Sequence, residues 1–222
     1  MPISNVHLTL GGSPASMTVT WQSNQVVGNA SVTVWQTRLG QAPPQNQKDL
    51  FVAKPVQHTY KYGRYTVNIY DALLNGLETN SSYNYLISCA GATTPVYSFP
   101  TPVAGTETGY TFAVMGDCRG NYEMFGKLMR MAREAGSRFV VFTGDMTDGG
   151  SQPEWVYWFH GAVETLPYLP LMPLLGNHEM LSKAYFEQFL LPNTTDERNY
   201  SFDYGMAHFE VLEQSGVLIR VD

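Results

Sequence analysis

Cysteine is nearly absent: Cys89 and Cys118 are the only two in 222 residues. Two thiols make no disulfide framework, and both are read as free. Positive charge is scarce as well. Lys and Arg number 13 against 19 Asp and Glu, a formal net charge of −6, and they form no runs. That excludes a nucleic-acid groove, which needs clustered cations against the phosphate backbone. No apolar run reaches the roughly 18 residues of a membrane span, so no membrane partner is expected. The first residues, Met1 to Val6, lack a basic segment followed by an apolar one, so no signal peptide is expected. Charged residues are only 14% of the chain while apolar ones are 44%, which leaves no case for disorder. The length suits one large domain or two small ones.

Residues 1–104 read as all-β. Val6, Leu8 and Leu10 alternate with polar neighbours, as do Met17, Val19 and Trp21, then Val32 and Val34, Val67 and Ile69, and Tyr83, Tyr85 and Ile87. Period two with one apolar face marks half-buried strands. Turn residues separate the runs: Gly11 to Pro14, Gly40 to Gln47 with two prolines, and Asn75-Gly76. About seven short strands in roughly 100 residues predict a β-sandwich with Trp21 as core anchor, and Leu77 followed by Tyr83 has the spacing of a tyrosine corner. This half is either a docking or substrate-shaping module or a spacer packed on the second half. Pro100 to Gly109 reads as the linker.

From residue 105 to 222 the pattern changes to α/β. Strand 111–115 leads to a helix over about 122–135, with Asn121 as N-cap and Gly136 as stop. Its apolar face is Phe125, Leu128, Met129 and Ala132. Strand 139–142 completes a βαβ unit, so the two strands are parallel. Pro153 opens a second helix carrying Trp155, Trp158 and Phe159 and ending near Leu166. Strand 171–175, a short helix over 183–190 and two strands around Gly205 complete the chain.

Three strand ends in a row each present glycine and then an oxygen-bearing residue: Gly116-Asp117, Gly144-Asp145 and Gly176-Asn177. In open parallel sheets ligands sit beyond the carboxyl ends of the strands. Neighbouring strands lie ~4.8 Å apart, so these side chains can converge. Two carboxylates and an amide oxygen are hard ligands, suited to Mn, Mg, Zn or Fe. A central carboxylate can bridge two metals ~3.5–4 Å apart, the spacing used for phosphoester hydrolysis. The competing reading is that the aspartates only cap helices or turns. His178 beside Asn177 is placed to protonate a leaving oxygen, or else is a buried histidine on a tight turn. Glu179 reads as orienting a neighbour.

Taken together, Gly116-Asp117, Gly144-Asp145-x-x-Asp148 and Gly176-Asn177-His178-Glu179 strongly resemble the motifs of calcineurin-like metallophosphoesterases. The preceding sandwich, with its starts at Val6 and Met17 and its Leu77 to Tyr85 stretch, looks like the fibronectin-III-like N-terminal domain of purple acid phosphatases. The resemblance covers nearly the whole chain. It implies an N-terminal β-sandwich followed by the first half of a metallophosphoesterase α/β sandwich. It further implies a site with two divalent or trivalent metal ions (Fe, Mn or Zn): Asp117 on the first, Asp145 bridging, Asn177 on the second, and His178 helping the leaving group. The function implied is hydrolysis of phosphate monoesters. Alternatives are a phosphodiesterase or nucleotidase of the same fold, or a non-catalytic binding chain.

Three departures accompany the resemblance. Where the family commonly has Asp-x-His, this chain has Asp117-Cys118-Arg119. Arg119 either holds the phosphate, because a guanidinium matches phosphate oxygens bidentately, or is a surface or salt-bridged residue. Asp148 stands where purple acid phosphatases place a metal-binding tyrosine, so it joins the expected metal set and the tyrosinate–iron colour is not expected. The family's later histidine ligands are expected beyond Asp222. His7, His58, His160 and His208 match none of them, and His208 reads as a packed strand histidine. Four Asn-x-Ser/Thr sequons, at Asn29, Asn80, Asn193 and Asn199, together with the resemblance, point to an extracellular location. An unfinished sheet leaves an open edge at its last strand, which predicts a possible dimer.

Overall fold

The computed structural model describes residues 2–36, 50–103, 105, 109–179, 182–194, 197–212 and 218–220. The expected turn at Gly40 to Gln47 and part of the linker lie outside the described residues. Among the described residues of the first half there are nine strands: β1 (Ser4–Leu10), β2 (Ser16–Ser23), β3 (Ser31–Gln36), β4 (Phe51–Ala53), β5 (Val56–Tyr62), β6 (Tyr65–Asn75), β7 (Ser82–Cys89), β8 (Ala92–Thr93) and β9 (Tyr97–Pro100). One antiparallel sheet runs β1-β2-β6-β5, and the other runs β4-β3-β7-β8 with β9 also on β7. The alternating apolar residues close a core between them. Trp21 is fully buried and stacks on Tyr70, ring centroids 5.3 Å apart. The Tyr83 hydroxyl accepts from the Glu78 amide at 2.9 Å, the local tie of a tyrosine corner.

Strands β4, β5 and β8 are short or weakly patterned, and all three lie at sheet edges. They bury few residues, so little alternation is imposed on them, whereas β1, also an edge strand, is buried from Val6 to Leu10 and does alternate. In β5 only Tyr60 is buried.

The second half begins with β10 (Ala113–Met115), α1 (Tyr122–Glu134), β11 (Val140–Phe142), α2 (Gln152–Gly161), β12 (Leu171–Pro173) and α3 (Lys183–Gln188). It continues with β13 (Tyr200–Tyr204), β14 (Ala207–Val211) and β15 (Leu218–Arg220). Strands β10-β11-β12 form a parallel sheet, with Ala113 opposite Val140 and Val140 opposite Leu171. Strands β13-β14-β15 form a separate antiparallel sheet. The two meet through aromatic rings: Phe139 packs edge-on against Phe202 and Phe209 at 5.6 and 5.4 Å. The last strand, β15, stands at the end of this second sheet, so the edge expected at the last strand lies on the antiparallel sheet and not on the parallel one.

Helix α1 starts where the Asn121 side chain accepts from the Met124 amide. Its buried face is Phe125, Gly126, Met129 and Ala132, and Leu128 is 40% exposed. Gly126 shifts the face, because the Gly161 carbonyl of α2 lies where a Cβ on residue 126 would be. The backbones of α1 and α2 touch there, which turns Leu128 outward. Trp155, Trp158 and Phe159 of α2 are buried, and the His7 ring of β1 packs on Phe159 at 5.0 Å. The sandwich thus packs directly against the α/β half.

Candidate active site

The order β10-β11-β12 sets three loops side by side at the carboxyl ends of the strands. Asp117, Asp145 and Asn177 fall two, three and four residues past them. The backbones are in close contact. Gly144 has φ +90°, and a Cβ there would stand 2.8 Å from the Gly176 Cα. A Cβ on Gly176 would strike the Asp145 amide and carboxylate. Only glycine allows this approach. Two backbone bonds tie the first loop to the second: the Asp117 amide donates to the Gly144 carbonyl at 3.1 Å and the Arg119 amide to the Asp145 carbonyl at 3.2 Å. Asp117, Arg119 and Asp145 are held at φ of 56°, 25° and 56°. Non-glycine residues there are strained, and such strain concentrates at functional sites.

Glu179 is the tie beneath the loops. It is fully buried. One carboxylate oxygen accepts from the amides of Asp145 (3.0 Å) and Gly176 (2.8 Å), and the other from the amide of Thr147 (2.9 Å). Burial pushes its carboxyl above the usual range, although the bonds from Thr147, Gly176 and Asp145 pull the other way. It orients the second and third loops, as its position after His178 suggested.

Above it, Asp145 is largely buried and Asp117 mostly exposed. One Asp145 oxygen accepts from the His178 amide at 3.1 Å, which fixes the third loop to the second. Arg119 reaches across the group: Nη2 lies 3.9 Å from Asp117 Oδ1, Nε 3.9 Å from Asp145 Oδ2, and Nη1 3.0 Å from His178 Nε2. A guanidinium only donates, so His178 Nε2 accepts. The ring's Nδ1 donates to the Asp148 carbonyl at 2.9 Å, with the Asp148 carboxylate 3.5 Å away. This assigns the neutral ring its proton on Nδ1. Asp148 thus faces His178, and Asn177 is exposed at the start of the 3-10 turn Asn177–Glu179. Cys118 turns inward and donates to the Met146 carbonyl at 3.0 Å; burial pushes its thiol up to about 12, so it is no nucleophile.

The donors are of the right kind for hard cations, but their arrangement does not fit a metal pair. Among the described residues no group of three or more His, Cys, Asp or Glu side chains could hold a metal ion. The space between Asp117 and Asp145 is faced by Arg119 instead.

Glu154 belongs to the site's support and went unrecognised in the sequence. It accepts from the amides of Asp148 (3.1 Å), Gly149 (3.0 Å) and Ser151 (2.8 Å), holding the loop on which Asp148 sits. Burial opposes its charge, but the Ser151 hydroxyl and these amides together hold its carboxyl below the usual range. Ser151-x-x-Glu154 ahead of an apolar run was the available signal. His208 is on a strand as expected but is not packed: it is partly exposed and pairs with Asp203 at 2.6 Å. It lies on the middle strand of the second sheet, opposite that aspartate.

Comparison with known proteins agrees with this architecture. Residues 3–101 match the purple acid phosphatase N-terminal domain, and residues 110–218 match the calcineurin-like phosphoesterase domain. The chain is 25% identical over 183 residues to Fe(3+)-Zn(2+) purple acid phosphatase 12 of Arabidopsis thaliana, covering 79% of this chain and 37% of that protein. It is 22% identical to the purple acid phosphatase of Glycine max, over 93% of this chain and 48% of that protein. It is 24% identical to the phosphoenolpyruvate phosphatase of Allium cepa, over 72% of this chain and 37% of that protein. This chain therefore spans less than half the length of these relatives. The fold is shared with purple acid phosphatase PPD1 from yellow lupin (Lupinus luteus) seeds, TM-score 0.76 at 18% identity, over 95% of this chain and 44% of that one. With two matched domains in this order along nearly its whole length, the chain belongs to the calcineurin-like phosphoesterases that carry a purple acid phosphatase N-terminal domain.

Proposed function

We propose that this chain carries the phosphoester-binding face of a phosphatase acting on phosphate monoesters. The observation that carries the reading is the convergence of Asp117, Arg119, Asp145 and His178 at the ends of three parallel strands. Arg119 is 44% exposed, so its fork is open to phosphoryl oxygens. A phosphate draws the guanidinium off His178 Nε2, because a charged acceptor outcompetes a neutral nitrogen. Nε2 then faces the ester and, when protonated, gives its proton to the leaving oxygen. Asp148 faces the charge the ring carries until that transfer, and water takes the phosphoryl group. Glu179 and Glu154 keep the loops in register.

The test is hydrolysis of an aryl phosphate monoester against the matching diester, with and without added Mn(II) or Zn(II). Arg119→Ala and His178→Ala serve as controls. Monoester turnover, lost in both variants, supports the reading. Turnover that survives both variants, or none under any condition, overturns it. Orthophosphate binding that depends on Arg119 without turnover would favour the non-catalytic alternative.

Two further assignments belong to the same proposal. The chain divides near residue 104 into a sandwich and a catalytic unit, which expression of residues 1–104 alone would check by its folding. The chain acts outside the cell: all four sequon asparagines are exposed, and a glycosidase-sensitive gel shift after secretory expression is the check.

A further inference from the structure

We infer that Arg119 is a tethered cation resident between Asp117 and Asp145, occupying the place where a dinuclear site needs its first metal ion. This chain then takes up one metal ion fewer than the same site with a neutral ligand at that position. Three nitrogens of one guanidinium each face a different group: Asp117, Asp145 and His178 Nε2. A guanidinium stays charged and has no lone pair, so it repels a metal ion and cannot ligate one. The placement is built into the backbone. The Arg119 amide is bonded to the Asp145 carbonyl and its φ is held at 25°. The side chain therefore leaves the first loop already pointed across the second. Arg119 also covers the one imidazole nitrogen that could serve as a nitrogen donor here. Cys118, the other soft donor nearby, is turned away to the Met146 carbonyl.

The inference rests on the phosphoesterase reading for where a metal belongs, but its test needs no turnover. The full chain is equilibrated with Zn(II), desalted, and its metal per chain counted for wild type, Arg119→His and Arg119→Lys. Histidine supplies a neutral nitrogen donor; lysine keeps the charge. The expected result is one more metal ion per chain in Arg119→His than in wild type, and no gain in Arg119→Lys. If Arg119→His binds no more than wild type, or Arg119→Lys gains equally, the inference is overturned. Melting curves establish that each variant folds, and Arg119→Gln, neutral with an oxygen donor, replaces a histidine variant that does not, with the same gain expected. A gain without hydrolysis in any variant sinks the phosphatase reading alone. Hydrolysis with unchanged stoichiometry sinks this inference alone.

Discussion

His7 should make the folded chain acid-sensitive in a defined window. It lies on β1, fully buried, between the Asn5 and Gln188 carbonyls at 2.8 Å each, and so joins the sandwich to the end of α3. Burial lowers its pKa from 6.5 to about 4, against the two carbonyl bonds that favour the charged ring. A histidine with a depressed folded pKa binds fewer protons folded than unfolded. Stability is then fully present above the unfolded value and is lost as pH falls from 6.5 towards about 4. At about 1.4 kcal/mol for each tenfold difference in proton affinity, the full loss is about 3 kcal/mol, with about 2 kcal/mol gone near pH 5. Buried Asp71 acts in the opposite sense over part of this range. Burial raises its carboxyl, against the Thr20 bond and His58, so it costs stability as pH rises. The contribution of His7 therefore has to be isolated by difference. Urea unfolding of wild type and His7→Gln at several pH values between about 7 and 4 does this, because the fixed cost of the substitution cancels. The variant should gain about 3 kcal/mol on wild type across the window. A constant difference would show that His7 has the same pKa folded and unfolded, which would refute the burial argument.

Three other outcomes are expected. Gly176→Ala should lower stability by about 1–3 kcal/mol and abolish phosphate binding, since its Cβ meets Asp145 and Glu179; an unchanged melting temperature would refute the close approach. Cys118 in the folded chain should resist iodoacetamide at mildly alkaline pH, at least roughly 10-fold more than after unfolding, because burial holds it as the thiol; equal labelling would contradict its inward position. Strand β10 is an outer strand of the parallel sheet with Val114 55% exposed, so residues 1–222 should self-associate in sedimentation, and Val114→Lys should reduce it; a monodisperse wild-type monomer would sink the idea.

The N-cap at Asn121, the βαβ unit and the three glycine-led loops follow from local rules that sequence spacing records directly. A strand buried on both faces must be apolar throughout, and a loop that meets its neighbour backbone to backbone must carry glycine. Those constraints put Asp117, Asp145 and His178 on one rim before any contact is known. The weakly patterned strands β4, β5 and β8 escaped notice because they bury too few residues to impose alternation. Leu128 kept a helical spacing that fits the core, yet it faces out, because the Gly126–Gly161 contact sets the rotation of α1. Glu179 was recognisable as a neighbour of the site, but not that its two oxygens join two loops. Least legible was Arg119. Its sequence position allowed a phosphate clamp, a surface residue or a salt bridge. Only the folding of the first loop over the second, with residue 119 in the left-handed region, aims the guanidinium between two carboxylates and onto His178. Local propensity and burial pattern are properties of short stretches and survive in the sequence. The direction of a long side chain depends on through-space contacts between loops far apart in the chain, and those exist only once the sheet has formed.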